Sequence, residues 1–190
     1  IARQIDDSVL RIVDNAPYFM RRARGYAPLP ITVPDVVPTL LAVGAHQKNT
    51  IAIPVHGGVL ISQHIGDLAT VEAAAAFKRT IADIASFHGV QPVGVVCDLH
   101  PEYLSSQHAV ELQLPIWRVQ HHLAHICSCM AENSLGGPVL GVAWDGSGCG
   151  TDGTSWGGEF IVVDSNSWRR VAALRPFMLP GGEKAIKEPR

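Results

Sequence analysis

Apolar and polar residues alternate over positions 7–13, the period of a half-buried strand, and the pattern breaks at a turn over 14–17 before the basic run Arg21, Arg22, Arg24. Pro28, Pro30, Pro34 and Pro38 then follow in quick succession, and repeated loss of N–H donors predicts a linker without regular structure. Beyond a boundary near residue 34, positions 40–44, 50–55 and 59–63 read as three strands separated by a polar turn and by Gly57-Gly58. Val71, Ala74, Ala75, Lys78, Ile81, Ala82 and Ala85 recur at near-helical spacing and predict a helix over 71–88, stopped by Gly89. A buried strand over 93–97, a helix over 101–112, a strand over 116–119 and a helix over 121–133 complete an alternation that predicts an α/β layer.

The pattern then starts again. Positions 139–144 and 158–163 read as strands around a glycine-rich turn, and 168–174 as a third strand, about 100 residues after the first meander. Two lobes opening alike predict a duplicated α/β fold of the actin, hexokinase and heat-shock ATPase type. Residues 34–134 would form a complete first lobe and 135–190 the start of a second.

Composition narrows the function classes. With 47% hydrophobic and 17% charged residues and a mean hydropathy of +0.16, the chain should pack a sizeable core. A net charge of −2 and a pI near 6.5 provide no field to gather nucleic acid or an anionic membrane surface. No apolar run approaches the roughly 20 residues of a membrane span, and no secretory signal is visible. Cys97, Cys127, Cys129 and Cys149 lack the spacing of a disulfide scaffold, which predicts reduced thiols in a cytoplasmic protein. The first residue is Ile1 and the chain stops on a Gly- and Lys-containing loop over 180–190, so it is expected to be a segment of a longer enzyme.

The sharpest candidate chemistry is His121-His122-Leu123-Ala124-His125 at a predicted helix start. Residues four apart share a helical face, so His121 and His125 can offer two imidazoles to one cation. A third ligand must come from another element, and Asp145, ending an apolar strand, is best placed. The alternative is that the histidines cap the helix and hydrogen-bond near the surface. A metalloprotease reading is weakened by the lack of Glu within the motif. Gly148, Gly150 and Gly153 fit a dinucleotide pattern by letter, but the segment leads into a strand instead of a helix. What remains is a glycine-rich hairpin whose N–H groups can cradle phosphate, or an ordinary turn. Its length, with glycines at 146, 148, 150, 153 and 157, favours phosphate binding. In the corresponding first turn, Lys48 can neutralise phosphate, and Asn49 and Thr50 can donate to it. Asp98 and His100 follow a buried strand, where α/β active residues often sit, although His100 can equally cap the next helix. The arginine run reads as a solvated basic face, and Cys127 and Cys129 point about 200° apart on a helix.

In order along nearly the whole chain, DDSVLRIVD, RRARGYAP, GAHQKNT, SQHIGDL, CDLHPEYLSS, VQHHLAHICSCMAE, AWDGSGCGTDGTSWGGEF and LRPFMLPGGEKAIKEP together resemble the HypF family of carbamoyltransferases in nickel-iron hydrogenase maturation. The resemblance implies that residues 1–33 are the tail of a domain similar to threonylcarbamoyl-adenylate synthases, followed by the first part of a transferase domain. It implies an enzyme that turns carbamoyl phosphate and ATP into carbamoyl-adenylate and passes the carbamoyl group to the C-terminal cysteine of HypE. It implies metal ligation by His121, His125 and Asp145, with zinc and iron equally suited, and a later aspartate ligand beyond Arg190. Nucleotide or phosphate contacts are implied for Lys48, Asn49, Gly146, Gly148, Gly150, Asp152, Gly153, Gly157, Gly158 and Glu159, while the strand end at Asp98 and His100 marks a candidate substrate cleft by position alone. No catalytic residue is assigned, as expected if the nucleophile is the partner's thiol. A sugar kinase or ATPase of the same fold, or a fragment that only binds its partner, would be the alternatives.

Overall fold

The computed structural model describes residues 6–33, 38–165, 167–178, 180–181 and 184. The expected boundary at residue 34 and most of the 180–190 loop lie outside them. The architecture is α/β. It divides into two compact units, residues 1–119 and 120–190.

The first unit opens with a hairpin of β1 (Val9–Val13) and β2 (Ala16–Arg21), whose tight turn places Asp14 and Asn15 at positive φ. Its main sheet has six strands. A meander of β4 (Leu40–Ala42), β5 (Ala52–Val55) and β6 (Gly58–Ile61) is extended by β7 (Gly94–Asp98) and β8 (Ile116–Val119), both in parallel pairing beginning at β4. The opposite edge is β3 (Pro30–Ile31), which pairs with β6 in the stretch expected to be an irregular linker. The prolines misled because an edge strand needs hydrogen bonds on one side only, so it can accommodate Pro30.

Helix α1 (Val71–His88) begins at Thr70, whose side chain accepts from the Ala73 N–H, and ends at Gly89 with φ 60°. A residue without Cβ takes that left-handed conformation freely, as the expected stop requires. Its buried stripe, however, runs through Phe77 and Ile81, while Val71 is 82% exposed and Lys78 reaches out to Glu111. The expected face was rotated by about one position, because several alanines fit either side of the helix. Phe77 and Ile81 join Leu41, Val43, Ile51, Leu68, Val95, Cys97 and Ala109 in one core. Helix α2 (Leu104–Glu111) buries Ser105, Ser106 and Ala109, small residues that let it lie close to the sheet.

In the second unit, α3 (His121–Glu132) packs on an antiparallel meander of β9 (Val139–Cys149), β10 (Ser155–Asp164) and β11 (Ser167–Ala173). Its core holds Ile126, Ala143, Trp156, Ile161 and Val163. A Cβ at Gly141 would come within 2.5–2.6 Å of Ile126, so glycine here allows the helix to approach β9. Among the described residues no helix is long and apolar enough to cross a membrane.

Candidate functional site

The helix bearing both histidines is started by Gln120, whose side-chain oxygen accepts from the Leu123 N–H at 2.9 Å. The same amide donates to the Cys149 carbonyl at 3.1 Å and lies 3.0 Å from His122 Nδ1, tying the helix start to β9. His122 is fully buried, and desolvation pushes its pKa down, which favours neutral imidazole. Its neighbours in the turn, His121 and His125, project the other way, toward Asp145.

There the three side chains converge. Asp145 Oδ2 is 3.0 Å from His121 Nε2 and 3.7 Å from His125 Nε2, and the two Nε2 atoms are 3.2 Å apart. Ligand atoms around one cation with bonds of about 2.1 Å lie roughly 3.0–3.4 Å apart in octahedral or tetrahedral geometry; two sides of this triangle fall in that range, and the 3.7 Å side needs only a small turn of the exposed His125 to suit a shared ion. His121 is mostly covered, whereas the His125 side chain is 58% exposed, which leaves one side open for further ligands. The bonds from His121 and His125, joined by the Gly146 N–H at 2.7 Å, hold the Asp145 carboxyl well below the usual carboxylate range. Its negative charge offsets the positive end of the α3 dipole that would oppose a cation.

The glycine-rich segment differs from expectation. Instead of a long loop, β9 continues through Gly146 and Gly148 to Cys149, and β10 starts at Ser155, leaving a turn of 150–154. Ser155 pairs with Cys149 and Trp156 with Gly148, so part of the backbone expected to face phosphate lies within the ladder. Asp152 organises the turn: one carboxylate oxygen accepts from Thr154 N, Thr154 Oγ1 and Trp156 Nε1, and these bonds lower its pKa to about 2. Gly150 packs against the Trp156 indole, and Gly153 takes φ 78° at the turn. Gly148 serves packing, since a Cβ there would meet His122 Cε1 at 2.8 Å and His121 Cβ at 3.0 Å. Glu159, expected among the phosphate contacts, is 2% exposed and gripped by Arg170. A buried carboxylate already paired with a guanidinium does not face a phosphate.

Residues 35–132 match the family described as HypF Kae1-like domain, and residues 141–190 match Carbamoyltransferase, Kae1-like Domain, second subdomain. The chain belongs to the HypF Kae1-like family. It is 49% identical over 189 residues to Carbamoyltransferase HypF of Synechocystis sp., covering 97% of this chain and 24% of that protein. It is 47% identical over 189 residues to Carbamoyltransferase HypF of Rhizobium leguminosarum bv. viciae, covering 100% and 25%. A crystal structure of full-length HypF in the phosphate- and nucleotide-bound form superposes with a TM-score of 0.91 at 45% identity, over 96% of this chain and 24% of that one. The chain thus spans about a quarter of the length of these relatives.

The first unit of this HypF Kae1-like chain holds the other expected residues. Lys48 has φ 49°, is exposed, and donates its main-chain N–H to Asp67 at 3.0 Å. Asn49 departs from its expected role as a phosphate donor. It is 1% exposed, and its side-chain nitrogen donates to the Val43 and Ala45 carbonyls at 2.9 and 2.6 Å, bracing the loop from within. Asp98 accepts from the His100 N–H at 2.8 Å, and the His100 ring stacks on Tyr103 with centroids 4.2 Å apart. His100 Nδ1 in turn accepts from the Glu102 N–H at 3.3 Å within the turn ahead of α2, whose N-cap is Tyr103, so His100 does not cap that helix as expected.

Sequence reasoning overlooked Gln120, His122 and Arg170. Gln is outside the residue types that favour a helix N-cap, so its position carried no signal. His122 was adjacent to the recognised pair, and its burial follows from the close approach of Gly148.

Proposed function

We propose that this chain is the part of a cytoplasmic carbamoyltransferase that holds a divalent cation, zinc or iron, at His121, His125 and Asp145. The enzyme would convert carbamoyl phosphate and ATP into carbamoyl-adenylate and transfer the carbamoyl group to the C-terminal cysteine of HypE, for cyanide ligand synthesis. The observation that carries this reading is the triangle of Nε2, Nε2 and Oδ2 atoms 3.0–3.7 Å apart, in a chain of the HypF Kae1-like family. A relative solved with phosphate and nucleotide bound supports the choice of substrates. The strand order of the first unit, a meander followed by two parallel strands, together with a second meander over 139–173, supports a duplicated actin-like fold.

Carbamoyl-adenylate is a mixed anhydride. Attack by the partner's thiolate forms a C–S bond at the carbamoyl carbon and breaks the C–O bond to phosphate, so negative charge develops on departing AMP. A bound cation supplies Lewis-acid stabilisation of such charge. The chain's own residues supply two imidazole nitrogens, one carboxylate and an α3 N-terminus that favours anionic groups. Lys48, exposed on its loop, is available to neutralise phosphate. The reading is tested by incubating the full-length protein with carbamoyl phosphate, ATP and a HypE-tail peptide. Mass spectrometry should find a carbamoyl group on the terminal cysteine, and an unmodified peptide with folded, metal-loaded enzyme would contradict the assignment.

A further inference from the structure

Asp145 sits at an irregularity in β9. Trp144 pairs with Gly158 and Gly148 with Trp156, so Asp145, Gly146 and Ser147 together face Gly157 alone. Extra residues of this kind bend a strand and re-aim its side chains, and they concentrate beside functional sites. Here the bend delivers the carboxylate to the two histidines. The opposite strand must still satisfy the Gly157 N–H, which has lost its regular ladder position.

Glu159 provides the acceptor. Its Oε1 takes the Gly157 N–H at 2.9 Å, and Arg170 from β11 binds the same carboxylate, Nη2 to Oε1 at 3.0 Å and Nε to Oε2 at 2.5 Å. The Arg170 guanidinium lies 4.2 Å from the Trp156 ring centroid, and Trp156 donates to the Asp152 that organises the turn. An apolar pair generally holds a sheet as well as a buried ion pair does, so stability alone does not call for this arrangement. An acceptor fixed beneath Gly157 does.

We propose that Glu159 is a positioning residue for the cation site, acting through the Gly157 N–H and the bulge that aims Asp145, with Arg170 holding its carboxylate in place. This inference rests on the cation reading of His121, His125 and Asp145. It predicts that removing the acceptor loosens Asp145 without touching any ligand.

The test compares zinc affinity, cobalt absorption spectra and thermal stability in the full-length protein. The double variant Glu159→Met, Arg170→Met removes the acceptor while leaving no unpaired buried charge. Glu159→Gln keeps an oxygen for Gly157. Val163→Ala trims the same core near the far end of β10 and serves as the stability control. The double variant should bind zinc ~10–100-fold more weakly, with a changed cobalt spectrum. Glu159→Gln should stay close to wild type, and Val163→Ala should lose stability while binding zinc normally. Wild-type affinity in the double variant overturns the inference and leaves the cation reading intact. If the double variant does not fold, Glu159→Gln decides: a large loss of zinc affinity there overturns the role of the acceptor. A wild-type protein that binds no zinc or iron instead overturns the cation reading itself.

Discussion

Asp98 ends β7 and Asp145 lies at the irregularity within β9, and each has histidine close by in sequence or space, yet they are placed differently. Asp98 is 8% exposed and turns toward its own loop, accepting the His100 N–H while the His100 ring lies flat on Tyr103. Asp145 accepts the neighbouring Gly146 N–H with one oxygen and turns the other toward two imidazoles contributed by another element. Among the described residues, His121, His125 and Asp145 form the one group of three or more such side chains whose ligand atoms lie close enough to share an ion. The contrast shows that carboxylate and imidazole in proximity do not by themselves make a site. What matters is whether local backbone needs have already claimed their donor and acceptor atoms.

The strongest way to break this comparison is to remove the histidines from each place. A His121→Ala, His125→Ala double variant should lower bound metal from about one ion per chain to near none, read by elemental analysis. Asp98→Ala with His100→Ala should leave it unchanged. Equal loss in both would make the two regions equivalent after all.

Next in size are two glycine substitutions on one strand. Gly148→Ala forces its methyl group into His121 and His122 and should cost about 1–3 kcal/mol in denaturant unfolding, with weaker metal binding. Gly146→Ala points into open space and should change stability little. Similar losses for both would mean that the α3 and β9 contact is looser than described. Asp98→Ala alone should cost about 1–2 kcal/mol through the lost acceptor for the His100 N–H, again without affecting metal.

The smallest effect is a pH dependence. Because Asp145 is held below its ordinary pKa in the folded state, its contribution to stability is complete above the unfolded value near ~3.9 and is lost as pH falls toward the folded one. Metal-free wild type should therefore exceed Asp145→Asn in stability at neutral pH and converge with it in strong acid. A gap that widens with acidity would have the wrong sign.

Much of this contrast was readable beforehand. The i, i+4 spacing of His121 and His125 and the apolar run that stops at Asp145 are local patterns, and they pointed to the three side chains that converge. Helix α1 and the parallel strands were equally plain from periodicity and from Gly89. The glycine-rich hairpin was not, because Gly146, Gly148 and Gly157 resemble turn residues when their ladder partners across the sheet are unseen. Asn49 and Glu159 looked available for phosphate for a related reason. The Arg170 guanidinium that occupies Glu159 comes from the next strand, and the Val43 and Ala45 carbonyls that occupy Asn49 belong to its own loop, whose fold no residue pattern announces.

The most direct test of the central claim is anomalous diffraction from crystals of the purified protein, measured on both sides of the zinc and iron absorption edges. A single anomalous peak within about 2.0–2.2 Å of His121 Nε2, His125 Nε2 and an Asp145 carboxylate oxygen is the predicted result. Metal bound stoichiometrically elsewhere, with this triangle bridged only by hydrogen bonds, would contradict it.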